Sequence, residues 1–395
     1  YGGARTQYAP AGGRFGQFSF VATERAEEMG VEQAKQTLLD ETRANFDAFL
    51  EARPEGRPFC YWWGPTNTHR KWQKGSGKQL WGLNPDELEG RLPAFIPDVP
   101  EIREDVADYL GECQAVDAGL GVLLQRLEEI GELDNTLVVV SGDHGIPGMP
   151  RGKCNMYNIG AEVALAVRWP GRVPGGRVIE DFVNLQDLAP TFLEAAGAPV
   201  PDCMCAKSLM PVLTSADGGQ VDPARDYVVL GRERHVAAAR EGHLPYPQRA
   251  IRTKDYLYIR NFAPDRWPMG DPRGLDDPAT EPPPYDELAN DTFVAYADLD
   301  ASPTKAWMIH HRAEDHVQDL YQLGFGKFPA EELYDLRTDA DHMHNLADDP
   351  AYAAVRDDLR SRLEDELRTH RDPRVCEADV HFEQPPYAGP LPDNG

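Results

Sequence analysis

Residues 136–157 read TLVVVSGDHGIPGMPRGKCNMY. The first five are apolar or β-branched without interruption, the pattern of a strand buried on both faces. The run stops at Ser141-Gly142, and a carboxylate and an imidazole follow at once, Asp143 and His144. Glycines and prolines then punctuate a loop that carries Arg151 and Lys153. In an open α/β sheet, ligands collect beyond the carboxyl ends of the strands. An acid and an imidazole at that edge are suited to sharing a divalent cation, and an ammonium farther along the loop suits an oxyanion. Arg151 is the weaker candidate of the two bases. The plain alternative is a capping aspartate, a polar histidine and a surface lysine. Two ligands do not complete a calcium shell of roughly six to eight oxygens, so the rest must come from elsewhere.

The pattern on either side supports a sheet. Residues 31–51 predict a helix, with Leu38, Leu39, Phe46, Phe49 and Leu50 on one face. Phe59-Cys-Tyr-Trp-Trp63 is a short apolar run that reads as a buried strand, ended by Gly64-Pro65. Residues 101–130 keep apolar spacing of three to four from Val106 to Ile130, and Gly131 suits the position after the helix. A strand over 163–167 and a helix near 187–196, with Pro190 in its first turn, complete the alternation. This predicts an α/β fold, a mostly parallel sheet flanked by helices, over residues 1–222. Beyond that come short β-like pieces at 227–230, 249–252, 256–259 and 333–336. An amphipathic helix marked by Tyr352, Val355, Leu359, Leu363 and Leu367 follows. Residues 223–395 are therefore expected to form a smaller α+β domain with a short antiparallel sheet.

Composition excludes some partners. The 395 residues carry 40 basic and 66 acidic side chains, a net charge of −26. Such a surface repels nucleic acid and anionic membranes, and an anionic substrate needs a locally basic site. No stretch approaches the roughly 18–20 apolar residues of a membrane span. The six cysteines are scattered, and Cys203-Met-Cys205 lacks the two-residue spacer of redox or zinc pairs. Most are expected to be buried or unpaired thiols, with a pairing of Cys203 or Cys205 to another thiol left open, and oligomeric state is not legible.

Three further side chains enter the candidate list. His69 and Arg70 follow the 59–63 run and so belong to the same sheet edge, where a histidine could protonate a leaving group and a guanidinium could hold an anion. His235 follows the first strand of the C-terminal part, where a cleft between domains would recruit it. His310-His311 and His342-Met-His344 show no metal spacing and read as surface. Gly-x-Ser-x-Gly and Walker loops are absent, and no Cys or Ser is followed by x-Pro-x-Arg.

The order of these pieces resembles the later part of a type I sulfatase, a family of the alkaline-phosphatase-like superfamily. It resembles the heparan N-sulfatase branch in particular. The likeness rests on Trp63-Gly-Pro-Thr-Asn-Thr-His69-Arg70, Asp143-His-Gly-Ile-Pro147, Asn155-Met-Tyr157, Leu185-Gln-Asp-Leu-Ala-Pro-Thr191, Glu332-Leu-Tyr-Asp-Leu336 and His370-Arg-Asp-Pro-Arg-Val-Cys376. The resemblance implies that Asp143 and His144 are metal ligands for one divalent cation, usually calcium (Ca2+). It implies that Lys153 holds the sulfate and the nucleophile, and that His69 stands by the leaving group. Arg70 and His235 would touch a sulfated sugar substrate, His235 only by a loose match. The family's nucleophile is a formylglycine made in a Cys/Ser-x-Pro-x-Arg motif. With an Asp-Asp metal pair and a Gly-Lys-x-His segment, it is expected upstream of Tyr1, so the chain reads as an inactive fragment of a longer enzyme. By resemblance the compartment is periplasmic, extracellular or lysosome-like. Two other functions fit the same residues: a phosphodiesterase or phosphonate-ester hydrolase, and a non-catalytic domain that binds sulfated glycans.

Overall fold

Apolar spacing becomes helix where the sequence puts it. The structure, a computed structural model, describes residues 18–384. Among its helices are α1 (Phe18–Met29), α2 (Val31–Ala52), α3 (Ser76–Trp81), α4 (Pro100–Glu129), α5 (Asn158–Ala161), α6 (Leu188–Ala195), α7 (Tyr285–Asn290), α8 (Pro303–His310), α9 (Asp315–Phe325) and α10 (Ala353–Thr369). Its strands are β1 (Val138–Ser141), β2 (Leu165–Arg168), β3 (Tyr227–Arg232), β4 (Gln248–Thr253), β5 (Tyr256–Asn261) and β6 (Glu331–Asp335). Helix α4 ends as Gly131 suggests. That glycine takes φ 73°, its N–H donates to Glu128 O at 3.0 Å, and the Glu132 N–H donates to Leu127 O at 2.9 Å. These are the two bonds of a Schellman cap.

Among the described residues the chain forms two compact units. The first runs to Leu133 and takes in Pro284–Asp291 and Asp300–His310; the second comprises Asp134–Pro283, Thr292–Leu299 and the chain from His311.

In the first unit, α1 to α4 enclose Phe18, Ala22, Leu38, Leu80 and Ala115. Helix α4 also buries a row of acids, Asp105, Asp108 and Glu112, at the spacing that shares a helix face. Each acid holds part of the segment after residue 66. Glu112 accepts from Asn67 Nδ2 and from the Ser19 N–H, both at 3.1 Å. Asp105 takes both ends of the Arg70 guanidinium at 2.5 and 2.8 Å, and the Thr304 hydroxyl at 2.6 Å. Asp108 accepts the N–H groups of Gly75 (2.9 Å) and Gly77 (2.8 Å), which caps α3 from another helix.

Burial pushes the Asp108 carboxyl up to about 6, against the pull of the Gly77 and Gly75 N–H groups, and the charges of Asp105 and Glu104 add to the rise. Its folded pKa lies above its ordinary value of 3.8. The folded state therefore binds the proton more tightly than the unfolded chain, and burying the charged form costs stability above pH 6. Acidification towards pH 4 relieves a penalty of up to ~3 kcal/mol. Chemical denaturation of the wild type and Asp108→Asn at about pH 4.5 and about pH 7.5 reads this out. The wild type should gain on the variant by one or more kcal/mol at the lower pH (order of magnitude). A pH-independent difference between the two proteins contradicts it.

In the second unit, β3-β4-β5-β6 form an antiparallel sheet in that order. Period-two alternation gives it two apolar faces. Ala250, Leu257, Ile259 and Tyr334 face one way, with Met156, Tyr157, Tyr246 and Phe328. Ile251, Tyr258 and Leu333 face the other, against Leu359, Leu363 and Leu367 of α10. The short antiparallel sheet expected in the C-terminal part is therefore present. The boundary read at 222–223 falls inside this unit, because Met156 and Tyr157 join the core of the β3–β6 sheet.

The expected α/β fold is present, and the strand ladder described within residues 1–222 is antiparallel. Strands β1 and β2 pair antiparallel, Val138 opposite Arg168 and Ser141 opposite Leu165. The 59–63 run has no ladder among the described residues. Its side chains are satisfied by a helix instead. Tyr61 sits 4.8 Å from the rings of both Phe46 and Phe49 of α2, while Trp62 is 90 % exposed.

Candidate functional site

The loop after β1 coils tightly because three glycines let backbone touch backbone. A Cβ on Gly145 would lie 1.8 Å from Ile159 O, one on Gly152 2.3 Å from Ile146 O, and one on Gly160 2.3 Å from Gly152 O. In that space the Gly145 N–H donates to Gly160 O at 2.9 Å, and the Lys153 N–H donates to Ile146 O at 2.9 Å. The second bond sets the backbone of Lys153 beside Ile146, two residues past His144. One loop thus carries the acid–imidazole doublet and the lysine. Residues 146–153 are buried, Lys153 among them, whereas the Asp143 side chain is 89 % exposed.

His144 is oriented by its own loop. Its Nδ1 lies 2.8 Å from Gly145 O. A carbonyl only accepts, so the neutral ring carries its proton on Nδ1 and presents the Nε2 lone pair. That nitrogen is 3.6 Å from Asp143 Oδ2, while the other carboxylate oxygen accepts the His144 N–H at 3.0 Å. With no proton between them, Nε2 and Oδ2 are two electron-pair donors side by side. Donors bound at right angles to a cation about 2.4 Å away stand about 3.4 Å apart. The pair therefore fits two corners of one divalent cation's shell, with the backbone carbonyl as the support that metal-bound histidines commonly have. Among the described residues there is no group of three or more His, Cys, Asp or Glu placed to hold a metal, so the doublet by itself does not make a complete metal site.

His69 and Arg70 lie in the first unit. His69 is exposed, and its Nδ1 lies 2.7 Å from Arg70 O. Arg70 is not presented as a substrate ligand. Its guanidinium is bound bidentately by Asp105 and stacks 3.7 Å from the Trp72 ring centroid, with 5 % of the side chain exposed. A guanidinium so engaged secures the His69 loop to α4.

His235 belongs to a network in the second unit. Its Nδ1 is 3.8 Å from Asp298 Oδ1, and Asp298 also binds Arg232 (2.8 Å) and Arg240 (2.6 Å). Burial raises the Asp298 carboxyl, but the two guanidiniums outweigh it and hold the group below its usual range.

The sequence reading missed a second layer beneath the loop. His342, read as surface, is 2 % exposed, and burial, then the charge of Arg151, pushes it down to about 4. Beside it Glu332 is buried and accepts from Tyr157, Tyr334 and Asn261. Glu332-Leu-Tyr334 and Tyr157 were visible as motifs, but nothing in their spacing joins residues so far apart in sequence. No two of the six cysteines are joined in a disulfide. No helix among the described residues is long and apolar enough to cross a membrane.

A doublet beyond a strand, a buried lysine in the same loop and an antiparallel C-terminal sheet define a class that comparison identifies. Residues 7–198 match the sulfatase family model, and residues 150–292 match the model described as N-sulphoglucosamine sulphohydrolase, C-terminal. Between them the two matches run from residue 7 to residue 292, and over that span the chain is similar to the sulfatase family. The N-sulphoglucosamine sulphohydrolase of Homo sapiens is 29% identical over 310 residues, 76% of this chain and 55% of that protein. The chain spans about half, or less, of the length of the curated relatives it matches.

Among solved structures, a protein in complex with its substrate D-glucosamine-2-N,6-O-disulfate superposes with a TM-score of 0.53 at 20% identity, over 86% of this chain and 71% of that one. The phosphonate monoester hydrolase of Agrobacterium radiobacter gives a TM-score of 0.50 at 20% identity, over 93% and 66%. At such identities the likeness is one of fold, the alkaline-phosphatase-like fold.

Proposed function

We propose that this chain is part of an enzyme that hydrolyses a sulfate ester or sulfamate on a sulfated sugar. The observation that carries the reading is the single glycine-coiled loop holding Asp143, His144 and Lys153, in a chain similar to the sulfatase family. Asp143 Oδ2 and His144 Nε2 hold one divalent cation, calcium by family resemblance, together with ligands from outside the doublet. When bound, that cation supplies positive charge to the sulfate oxygens. Lys153 places its ammonium against another sulfate oxygen and stabilises the charge that grows there as the bond to sulfur breaks. His69, protonated on both nitrogens, keeps Nδ1–H on Arg70 O and donates the Nε2 proton to the departing oxygen or nitrogen. Arg70 holds that loop in place through Asp105, and His235 meets the sugar. These 395 residues contain no Cys/Ser-x-Pro-x-Arg segment and so supply no formylglycine nucleophile of their own.

The match over residues 150–292 favours the sulfamate of glucosamine as substrate. The test is sulfate release by the full-length protein from N-sulfoglucosamine, from glucosamine 6-sulfate and, as a control, phosphonate release from a phosphonate monoester. Turnover of the first above the others is expected. Preferential phosphonate hydrolysis would replace the reading with the phosphonate-ester one, and binding of sulfated sugar without any release would replace it with the glycan-binding one.

His69 yields a separate prediction. His69→Ala should lower the rate on a sugar sulfate or sulfamate, a poor leaving group, by roughly 10²-fold or more, and the rate on an activated aryl sulfate far less. Equal losses on both substrates would remove His69 from the proton-donor role.

A further inference from the structure

Arg151 sits two residues before Lys153, between Pro150 and Gly152, and only 2 % of it is exposed. Its backbone takes φ 60°, a left-handed conformation that a side-chain-bearing residue adopts only when its surroundings impose it. The surroundings are two segments far along the chain. The guanidinium donates from Nη1 to His342 O and to Asp341 O (3.3 Å), and from Nε to Leu323 O (3.4 Å). Its plane also lies over Tyr157, 4.3 Å from the ring centroid. Tyr157 is pinned in turn. Its hydroxyl donates to Glu332 Oε2 at 2.6 Å, an oxygen shared with the Tyr334 hydroxyl at 2.7 Å, while Asn261 Nδ2 donates to Oε1 at 2.8 Å. The His342 ring packs against both tyrosines at 5.7 and 5.3 Å.

We propose that Arg151 is a positioning residue: it locks the loop of Lys153 onto the β3–β6 sheet and so fixes where the lysine ammonium meets a sulfate oxygen. This rests on the role given to Lys153 above. Burying a guanidinium is expensive, and an apolar side chain would pack the same space without that penalty. What the guanidinium adds is a flat, rigid fork that reaches carbonyls of two separate segments at once. A lysine there offers a point charge on a flexible stem, and a loop displaced by about 1 Å costs on the order of 10² in rate. The Glu332–Tyr157 bond is the second anchor of the same lock.

The test uses Arg151→Lys and Tyr157→Phe in the full-length protein, with kcat and KM for sulfate release, thermal unfolding, and amide hydrogen exchange resolved to residues 146–157. Arg151→Lys should lower kcat roughly tenfold or more with KM within about threefold of wild type. Its exchange should rise in 146–157 while the β3–β6 strands stay protected. Tyr157→Phe should do the same to a smaller degree. Wild-type kcat in both variants overturns the proposal, as does a loss that follows the folded fraction alone. If Arg151→Lys does not fold, Tyr157→Phe decides by the same readings. If the wild type releases no sulfate, the functional reading fails by itself. The lock is then judged by exchange: a rise confined to 146–157 supports it, and unchanged protection overturns it.

Discussion

Lys153→Ala in the full-length protein should lower kcat/KM for a sulfated glucosamine by about a hundredfold or more, some 3 kcal/mol of transition-state stabilisation. The residue is buried, and its main-chain N–H is bonded to Ile146 O, a bond that alanine keeps. Folding should therefore survive, and the loss should fall on the chemical step. An ammonium against a sulfate oxygen gains most where charge accumulates, in the transition state and not in the bound substrate. For that reason kcat should fall more than KM rises. Lys153→Arg should recover part of the rate, since it restores the charge with a different reach. Near-normal turnover by the alanine variant would remove Lys153 from the site.

Asp143→Ala should weaken binding of calcium to the full-length protein by about a hundredfold or more, read by calorimetric titration of chelator-treated protein. Activity at a fixed low calcium concentration should fall with it. The geometry separates this effect from instability. The Asp143 side chain is 89 % exposed, and among the described residues it accepts a hydrogen bond from the adjacent His144 N–H. Losing so exposed a group should change folding stability by no more than about 0.5 kcal/mol. His144→Ala should act in the same direction, with a smaller effect because it removes a neutral ligand. Unchanged calcium affinity in both variants would mean that the doublet is only a polar turn.

Much of this was legible along the chain, and the limits have physical causes. Helices α2, α4 and α10 show in the 3.6-residue period of their apolar faces, and β3 to β6 show in short alternating runs, because both signals are local. The closeness of Asp143 and His144 was legible because they are adjacent residues, and that of Lys153 because the loop that returns it to Ile146 is short. Arg70 was misjudged because its partner, Asp105, lies on another element, and sequence spacing carries no sign of that pairing. His342 was misjudged for the same reason: its burial comes from Tyr157 and Tyr334, which long-range packing supplies. The 59–63 run has strand composition, but a ladder needs a neighbour, and among the described residues α2 covers it instead. The loop glycines read as punctuation. Only coordinates show that at 145, 152 and 160 a methyl group would strike a carbonyl.

The acid row of α4 and the Arg151–Tyr157–Glu332 lock follow one logic. In each unit a candidate site loop is held by buried polar groups. For His69 the support is Glu112 on Asn67, Asp105 on Arg70 and Asp108 on Gly75 and Gly77. For Lys153 it is the guanidinium of Arg151 and the Glu332 carboxylate. Such support reduces the motion left to a side chain that must meet a developing charge.

The central claim is that the Asp143–His144 doublet binds a divalent cation on which sulfate removal depends. Sulfate release from N-sulfoglucosamine by the full-length protein, measured before chelation, after it, and after calcium is added back, tests this most directly. The account predicts release that chelation abolishes and calcium restores. Release that continues undiminished in chelator would contradict it.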